Sequence, residues 1–132
     1  MIIDTSALLA ILLSEPERSD FVAAIDSSES RAISAVSFVE CSIVLAARHG
    51  PDAIRDLDLL LAKASIDLVP VDVEQAHVAR KAHRLYGKGH HAARLNFGDC
   101  FSYALAQAMG EPLLFKGGDF ALTDVQRHAT SC

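Results

Sequence analysis

Short apolar runs alternate along this chain with longer segments in which apolar residues recur at helical spacing. The runs at residues 1–4, 32–34, 66–71 and 112–115 predict four strands. The helical patterns cover residues 5–13, 16–26, 36–49, 53–64, 73–86 and 97–109, with Thr5 or Ser6 expected to cap the first. Strands joined through helices pair in parallel. The sequence therefore predicts an α/β fold with a mostly parallel central sheet flanked by helices on both sides.

The length and the apolar content indicate one compact unit. We expect residues 1–132 to form a single domain, since domains usually contain roughly 100–200 residues. Hydrophobic residues make up 51% of the chain, which is incompatible with disorder. No apolar run reaches the roughly 18 residues of a membrane span, and an Asp stands at position four, so we expect no membrane contact and a cytoplasmic location. Three widely spaced cysteines predict reduced thiols, two of them buried.

Positive charge is concentrated in one part of an acidic protein. The formal net charge is −5, yet residues 75–98 contain no Asp or Glu and hold four of the six histidines. This stretch is either a solvated helix face or a surface that faces a polyanion. Its candidate polyanion-binding residues are Arg80, Lys81, Arg84, Lys88 and Arg94.

Four acidic residues occupy unusual positions. Asp4 follows the first strand, Asp119 follows the last strand behind two glycines, Asp99 lies in the first turn of a helix, and Glu40 stands inside an apolar helix. Each has an ordinary structural interpretation: an N-cap for Asp4, a turn for Asp119, a dipole partner for Asp99 and a solvent-facing position for Glu40. Ligands of parallel sheets bind beyond the carboxyl ends of the strands, where two of these acids are expected.

A cluster of carboxylates repels itself unless cations bridge it. Hard divalent cations with oxygen ligands, Mg²⁺ with Mn²⁺ as a substitute, are the natural counter-ions. Such a centre suits phosphate substrates, because it activates water and neutralises the leaving oxygen. Metal-assisted hydrolysis of a phosphodiester is therefore the leading chemical hypothesis.

Four segments, in this order and spacing, carry a family resemblance: MIIDTSALLAIL, ISAVSFVE, LNFGDCFSYALA and PLLFKGGDFALTDV. Together they resemble the PIN-domain ribonuclease toxins of VapBC type II toxin-antitoxin systems. The resemblance implies a PIN fold and a Mg²⁺-dependent endoribonuclease that cleaves cellular RNA and stops translation until a cognate VapB-type antitoxin blocks it. It also implies a homodimer, and operator DNA bound only through the antitoxin.

The same resemblance assigns roles to individual residues. It implies that Asp4, Glu40, Asp99 and Asp119 are the catalytic and metal-binding acids. Thr5, Ser6 and Asn96 match positions that orient the ligands or bound water. Such toxins often carry Asp or Asn where this chain has Gly118, so the fourth acid rests on Asp119, with Asp124 as a possible outer member.

Other interpretations remain open at this stage. His90 and His91 offer a metal-free general acid and base. Asp4 and Lys116 loosely fit a phosphate-handling α/β domain of the receiver or phosphatase kind, although no second acid adjoins Asp4. A PIN module that only binds a partner is a third possibility. The string GGDF at Gly117 also suggests a cyclic-dinucleotide enzyme, but the chain is too short and lacks the further acid.

Overall fold

The computed structural model describes all 132 residues and contains four strands and six α-helices. The strands are β1 Ile2–Ile3, β2 Ala32–Ser34, β3 Asp67–Val69 and β4 Leu113–Leu114. The helices are α1 Thr5–Leu12, α2 Arg18–Ser27, α3 Ala35–His49, α4 Ile54–Lys63, α5 Val73–Tyr86 and α6 Phe97–Met109, with short 3₁₀ turns at Pro51–Ala53 and Phe120–Leu122. Every strand pair is parallel, in the order β3-β2-β1-β4.

Two apolar layers enclose the sheet. Ile3 and Leu114 face a layer built from α1, α2, α3 and α4, whereas Ile2 and Leu113 face α5 and α6. Alternate residues of a strand point to opposite faces, so two neighbouring apolar residues serve both layers. Because both faces are covered, the predicted α/β fold with a parallel central sheet is confirmed. No helix is both long and apolar enough to cross a membrane.

The ends of the elements differ from the sequence predictions in ways that local chemistry explains. Asp4, rather than Thr5 or Ser6, caps α1, because its carboxylate accepts the Ser6 backbone N–H. Helix α2 begins at Arg18, two residues after Pro16. The strands are shorter than expected, whereas α5 and α6 begin and end where the periodicity predicts. The last helix ends at Gly110, whose left-handed backbone (φ 61°) favours glycine.

Strand order determines where the acids meet. The chain runs from β1 outward to β2 and β3, then returns to place β4 on the other side of β1. The switch point of the sheet therefore lies between the carboxyl ends of β1 and β4. Asp4 directly follows β1, and the loop that carries Asp119 follows β4.

Candidate active site

Asp4 is held by hydroxyl and backbone donors at the end of β1. Only 2% of the residue is exposed. Its Oδ2 accepts the Ser6 backbone N–H at 2.9 Å and the Ser6 hydroxyl at 2.7 Å, and its Oδ1 accepts the Ser102 hydroxyl at 2.6 Å. Ser6 in turn accepts the backbone N–H of Lys116 at 3.0 Å, which connects β4 to the same acid. These donors compensate the cost of burying a carboxylate and fix its direction.

Glu40 reaches the site from α3 by passing Gly98, which has no side chain to block it. A Cβ at Gly98 would lie 2.6 Å from Glu40 Cδ and would overlap its Oε2. Burial raises the pKa of the Glu40 carboxyl, a hydrogen bond from Thr5 opposes this, and the charge of Asp4 adds to it. Glu40 is therefore not the solvent-facing helix residue of the ordinary interpretation.

Asp99 and Asn96 form a reciprocal cap at the start of α6. The Asp99 N–H donates to Asn96 Oδ1 at 2.8 Å, and the Asn96 N–H donates to Asp99 Oδ2 at 3.0 Å. This capping box fixes the Asp99 side chain at the helix terminus. The structural interpretation of Asp99 as a helix-end partner is thus correct, and it is compatible with a second role.

The acids act on one another electrostatically. The pKa of Asp99 is raised to about 7. Burial is the main cause, the charges of Asp4, Glu40 and Asp119 add to it, and a hydrogen bond with Asn96 opposes it. Carboxyls from three other parts of the chain thus act electrostatically on Asp99. Perturbed acids of this kind cluster at functional sites.

Asp119 and Asp124 differ in their surroundings. Asp119 is exposed and precedes the 3₁₀ turn after β4, yet its charge reaches Asp99. Asp124 accepts the Tyr103 hydroxyl at 2.5 Å and makes no hydrogen bond to the other acids. The charge of Asp119 therefore contributes to the raised pKa of Asp99, whereas Asp124 is hydrogen-bonded to Tyr103.

The donor set fits a hard divalent cation in chemistry, although it is not preassembled. No three His, Cys, Asp or Glu side chains stand close enough together to hold a metal ion as they are placed. Mg²⁺ commonly binds through one or two carboxylates and keeps several waters, so it does not require three. Burial raises the pKa of Asp99 most, repulsion from the other acids adds to it, and a dication would relieve that repulsion. The four acids are consistent with a hard divalent cation at this edge of the sheet.

The five basic residues of the acid-free stretch 75–98 are exposed, and none of them takes part in a salt bridge. His77, Arg80, Lys81 and Arg84 line a groove of about 360 Å³ on α5. Arg80 also borders a cleft of about 300 Å³ that extends to Phe97 and Cys100 at the start of α6. The other two basic residues, Lys88 and Arg94, lie in the loop between α5 and α6.

The histidines and cysteines that could have supplied other chemistry are poorly placed for it. His91 Nδ1 accepts the Ala93 N–H at 3.0 Å, and His90 packs edge-on against His83. Burial raises the pKa of Cys41 to about 12 and that of Cys100 to about 11. Both thiols are buried and Cys132 is exposed, so the prediction of two buried cysteines is confirmed. Such thiols are not nucleophiles near neutral pH.

Sequence reasoning missed three contributors. Ser102 and Ser37 complete the polar contacts of Asp4, and Gly98 makes room for Glu40. A signal for Ser102 exists, because it lies three residues after Asp99 and therefore on the same face of an apolar helix. The proximity of Gly98 to Glu40 has no local signal, since it joins two helices that are distant in sequence.

Comparison with known proteins decides the family. The family model described as PIN domain matches residues 1–126. The chain belongs to the PIN-domain family. Among curated relatives, the ribonuclease VapC30 of Mycobacterium tuberculosis is 52% identical over 125 residues, 95% of each chain. The ribonuclease VapC of Mycolicibacterium smegmatis is 54% identical over 125 residues, 95% of this chain and 97% of that protein. The resemblance to VapC-type PIN proteins is thereby confirmed.

Solved PIN-domain structures share the fold. Mycobacterium tuberculosis VapC20, described as a Sarcin-Ricin loop cleaving toxin, superposes with a TM-score of 0.77 at 17% identity, covering 96% of this chain and 97% of that one. VapBC2 from Rickettsia felis, bound to a DNA fragment from its promoter, gives 0.75 at 11% identity, covering 96% and 94%. At these identities the match establishes the shared fold alone.

Proposed function

We propose that this PIN-domain protein is a metal-dependent endoribonuclease toxin of the VapC type. One observation carries the proposal: Asp4 and the loop of Asp119 follow the two strands at the switch point of the sheet, and the charges of Asp4, Glu40 and Asp119 add to burial in raising the pKa of Asp99. A site of this composition requires cationic compensation, and a phosphodiester is the substrate that such compensation serves. Cleavage of cellular RNA would stop translation.

The proposed roles divide between acids that hold the cation and groups that hold the acids. Asp4, Glu40, Asp99 and Asp119 would bind Mg²⁺ or Mn²⁺. The bound cation supplies charge neutralisation and lowers the pKa of a nearby water. Asn96 fixes Asp99, Ser6 fixes Asp4, and Thr5 lies beside Glu40 and lowers the pKa of its carboxyl.

In the proposed reaction a water oxygen bonds to phosphorus and the bond from phosphorus to O3′ breaks. The water proton passes to a carboxylate of the site, and O3′ takes up a proton from solvent as it leaves. The carboxylate then releases its proton to solvent, so one water is consumed in total. The products then carry a 5′-phosphate and a 3′-hydroxyl.

RNA would run along the basic groove of α5 and enter the acidic site past Phe97. The cleft that contains Phe97 shares Arg80 with the basic groove, and Phe97 also borders the groove that Glu40 lines. Phe97 is 72% exposed. Exposed aromatic side chains beside basic residues are a common means of holding unpaired nucleotides.

Three alternatives have less support. A receiver-like or phosphatase-like site needs Lys116 at the acids, but its Nζ pairs with Glu15 at 3.2 Å and Glu17 at 3.1 Å. A non-catalytic module has no need for three acids, Asp4, Glu40 and Asp119, whose charges add to burial in raising the pKa of Asp99. The GGDF interpretation is not favoured either, because the whole segment belongs to the matched PIN domain.

RNA cleavage in Mg²⁺ and in EDTA tests the proposal. The expected result is cleavage only in Mg²⁺ or Mn²⁺, with 5′-phosphate and 3′-hydroxyl ends. Asp4→Asn and Asp99→Asn are expected to abolish it while retaining the fold. Cyclic 2′,3′-phosphate ends formed in EDTA would overturn the proposal and favour the histidines.

We further propose a homodimer and a VapB-type antitoxin as partners, with operator DNA bound through the antitoxin. An acidic chain with a net charge of −5 has little general affinity for duplex DNA. Co-purification with the candidate antitoxin, followed by loss of RNA cleavage, tests the partner. Light scattering of the isolated chain tests the dimer, and a monomer at all concentrations would contradict it.

A further inference from the structure

A chain of three buried side chains joins two helices to the first acid of the site. Ser37 on α3 and Ser102 on α6 both have 0% exposure. Their hydroxyl oxygens are 3.0 Å apart, and Ser102 Oγ is 2.6 Å from Asp4 Oδ1. No solvent reaches this contact, so the two hydroxyls depend on each other and on Asp4 for hydrogen bonding.

The direction of the donations follows from counting protons. A serine hydroxyl has one proton, and a carboxylate can only accept. Ser102 donates its proton to Asp4, so the proton between Ser37 and Ser102 belongs to Ser37. The chain therefore runs from Ser37 to Ser102 to Asp4, and each donation strengthens the next.

The hydrogen bonds to Asp4 leave one lone pair of its carboxylate without a donor. Ser6 makes both donations to Oδ2, through its backbone N–H and its hydroxyl, and Ser102 donates to one lone pair of Oδ1. The remaining lone pair of Oδ1 has no protein donor. Rotation of the carboxylate would break the hydrogen bonds from Ser6 and from Ser102, so Ser102 together with Ser6 fixes the direction of that lone pair.

We propose that Ser102, supported by Ser37, is a positioning residue that aims Asp4 Oδ1 at the divalent cation. The inference rests on the proposed metal-dependent function. Partners that orient a ligating carboxylate usually change metal affinity or activity by about 10–100-fold when removed. Ser102 thus acts through Asp4 and does not touch the substrate.

Calorimetric titration of the full chain with Mn²⁺, without RNA, provides the test. Ser102→Ala is expected to raise the Kd for Mn²⁺ by about tenfold. Ser37→Ala leaves the contact between Ser102 and Asp4 and is expected to raise it by several-fold. With saturating Mn²⁺ and RNA substrate, and in a sample whose thermal unfolding shows that it is fully folded at the assay temperature, Ser102→Ala should lower kcat and leave KM unchanged.

Ser42→Ala is the matched control, because the Ser42 hydroxyl lies on α3 and donates only to the Phe38 carbonyl, at 2.7 Å. Its Kd should equal that of the unaltered chain. A folded Ser102→Ala with unaltered Mn²⁺ affinity overturns the inference, and if that variant does not fold, Ser37→Ala decides in the same way. Asp4→Asn distinguishes a failure of the positioning role from a failure of the proposed metal site. If Asp4→Asn weakens binding and Ser102→Ala does not, the positioning role alone fails. If Asp4→Asn also leaves binding unaltered, the proposed metal site itself fails.

Discussion

Gly98 of α6 packs directly against the carboxylate of Glu40 on α3, with no space for a Cβ between them. Gly98→Ala should therefore displace the Glu40 carboxylate, which lies at the flexible end of its side chain, while the backbone remains in place. We expect a folded protein whose kcat for RNA falls by about tenfold or more, by analogy with the loss of other groups that orient a metal ligand. Gly118→Ala is the control, since a Cβ there meets nothing within 4 Å. Equal losses in both variants would mean that the contact with Glu40 has no catalytic importance.

The raised pKa of Asp99 makes stability depend on pH. The folded protein holds this proton up to about pH 7, whereas the unfolded chain releases it near the ordinary value of 3.8. Folding therefore takes up a proton between these values, and the free energy of unfolding falls as pH rises through this range and then levels off. Asp99→Asn keeps an oxygen for the Asn96 N–H but removes the titration.

Chemical denaturation in EDTA across this range measures the effect. Above pH 7 we expect Asp99→Asn to be more stable than the unaltered chain by about 1–2 kcal/mol, less than full linkage because Asp99 is only partly buried. The advantage should disappear at the acidic end. A constant difference between the two proteins at every pH would contradict the assignment of this titration to Asp99.

Arg80 and Arg84 project from α5 without acidic partners. Replacing both with Gln should weaken RNA binding for every sequence tested and leave the melting temperature unchanged. If each arginine neutralises one phosphate, the slope of log Kd against log salt concentration should flatten by about 1.4, since each contact with a single strand contributes about 0.7. RNA titration in an Asp99→Asn background excludes cleavage from the measurement. An unchanged slope together with lost dimer or antitoxin binding would assign this surface to a protein partner.

Asp124 accepts the Tyr103 hydroxyl and is separate from the hydrogen bonds of the acidic site. Asp124→Asn should lower the melting temperature by a few degrees, because a hydrogen bond to a charged acceptor contributes about 1–3 kcal/mol. We expect unaltered Mn²⁺ affinity and RNA cleavage. Tyr103→Phe should behave in the same way, and loss of Mn²⁺ binding in Asp124→Asn would return this residue to the metal site.

The sequence alone was sufficient for the fold class and the family. Alternating strand and helix patterns predict the parallel sheet because apolar periodicity is a local property of the chain. Helices α5 and α6 match their predicted bounds, since Gly87 and Gly110 follow their last residues. Strand ends were less predictable, because pairing with neighbouring strands decides them.

Among the site residues, the sequence identified those with local signals, such as the carboxylates after β1 and at the start of α6. Tertiary structure alone decided their relationships. Glu40 meets Gly98, Ser37 meets Ser102, and Asp124 turns to Tyr103 through contacts between segments far apart in sequence. The pKa of Asp99 likewise depends on burial and on charges from three other segments. Composition and spacing do not encode such distances, because they arise only when the sheet places the helices beside one another.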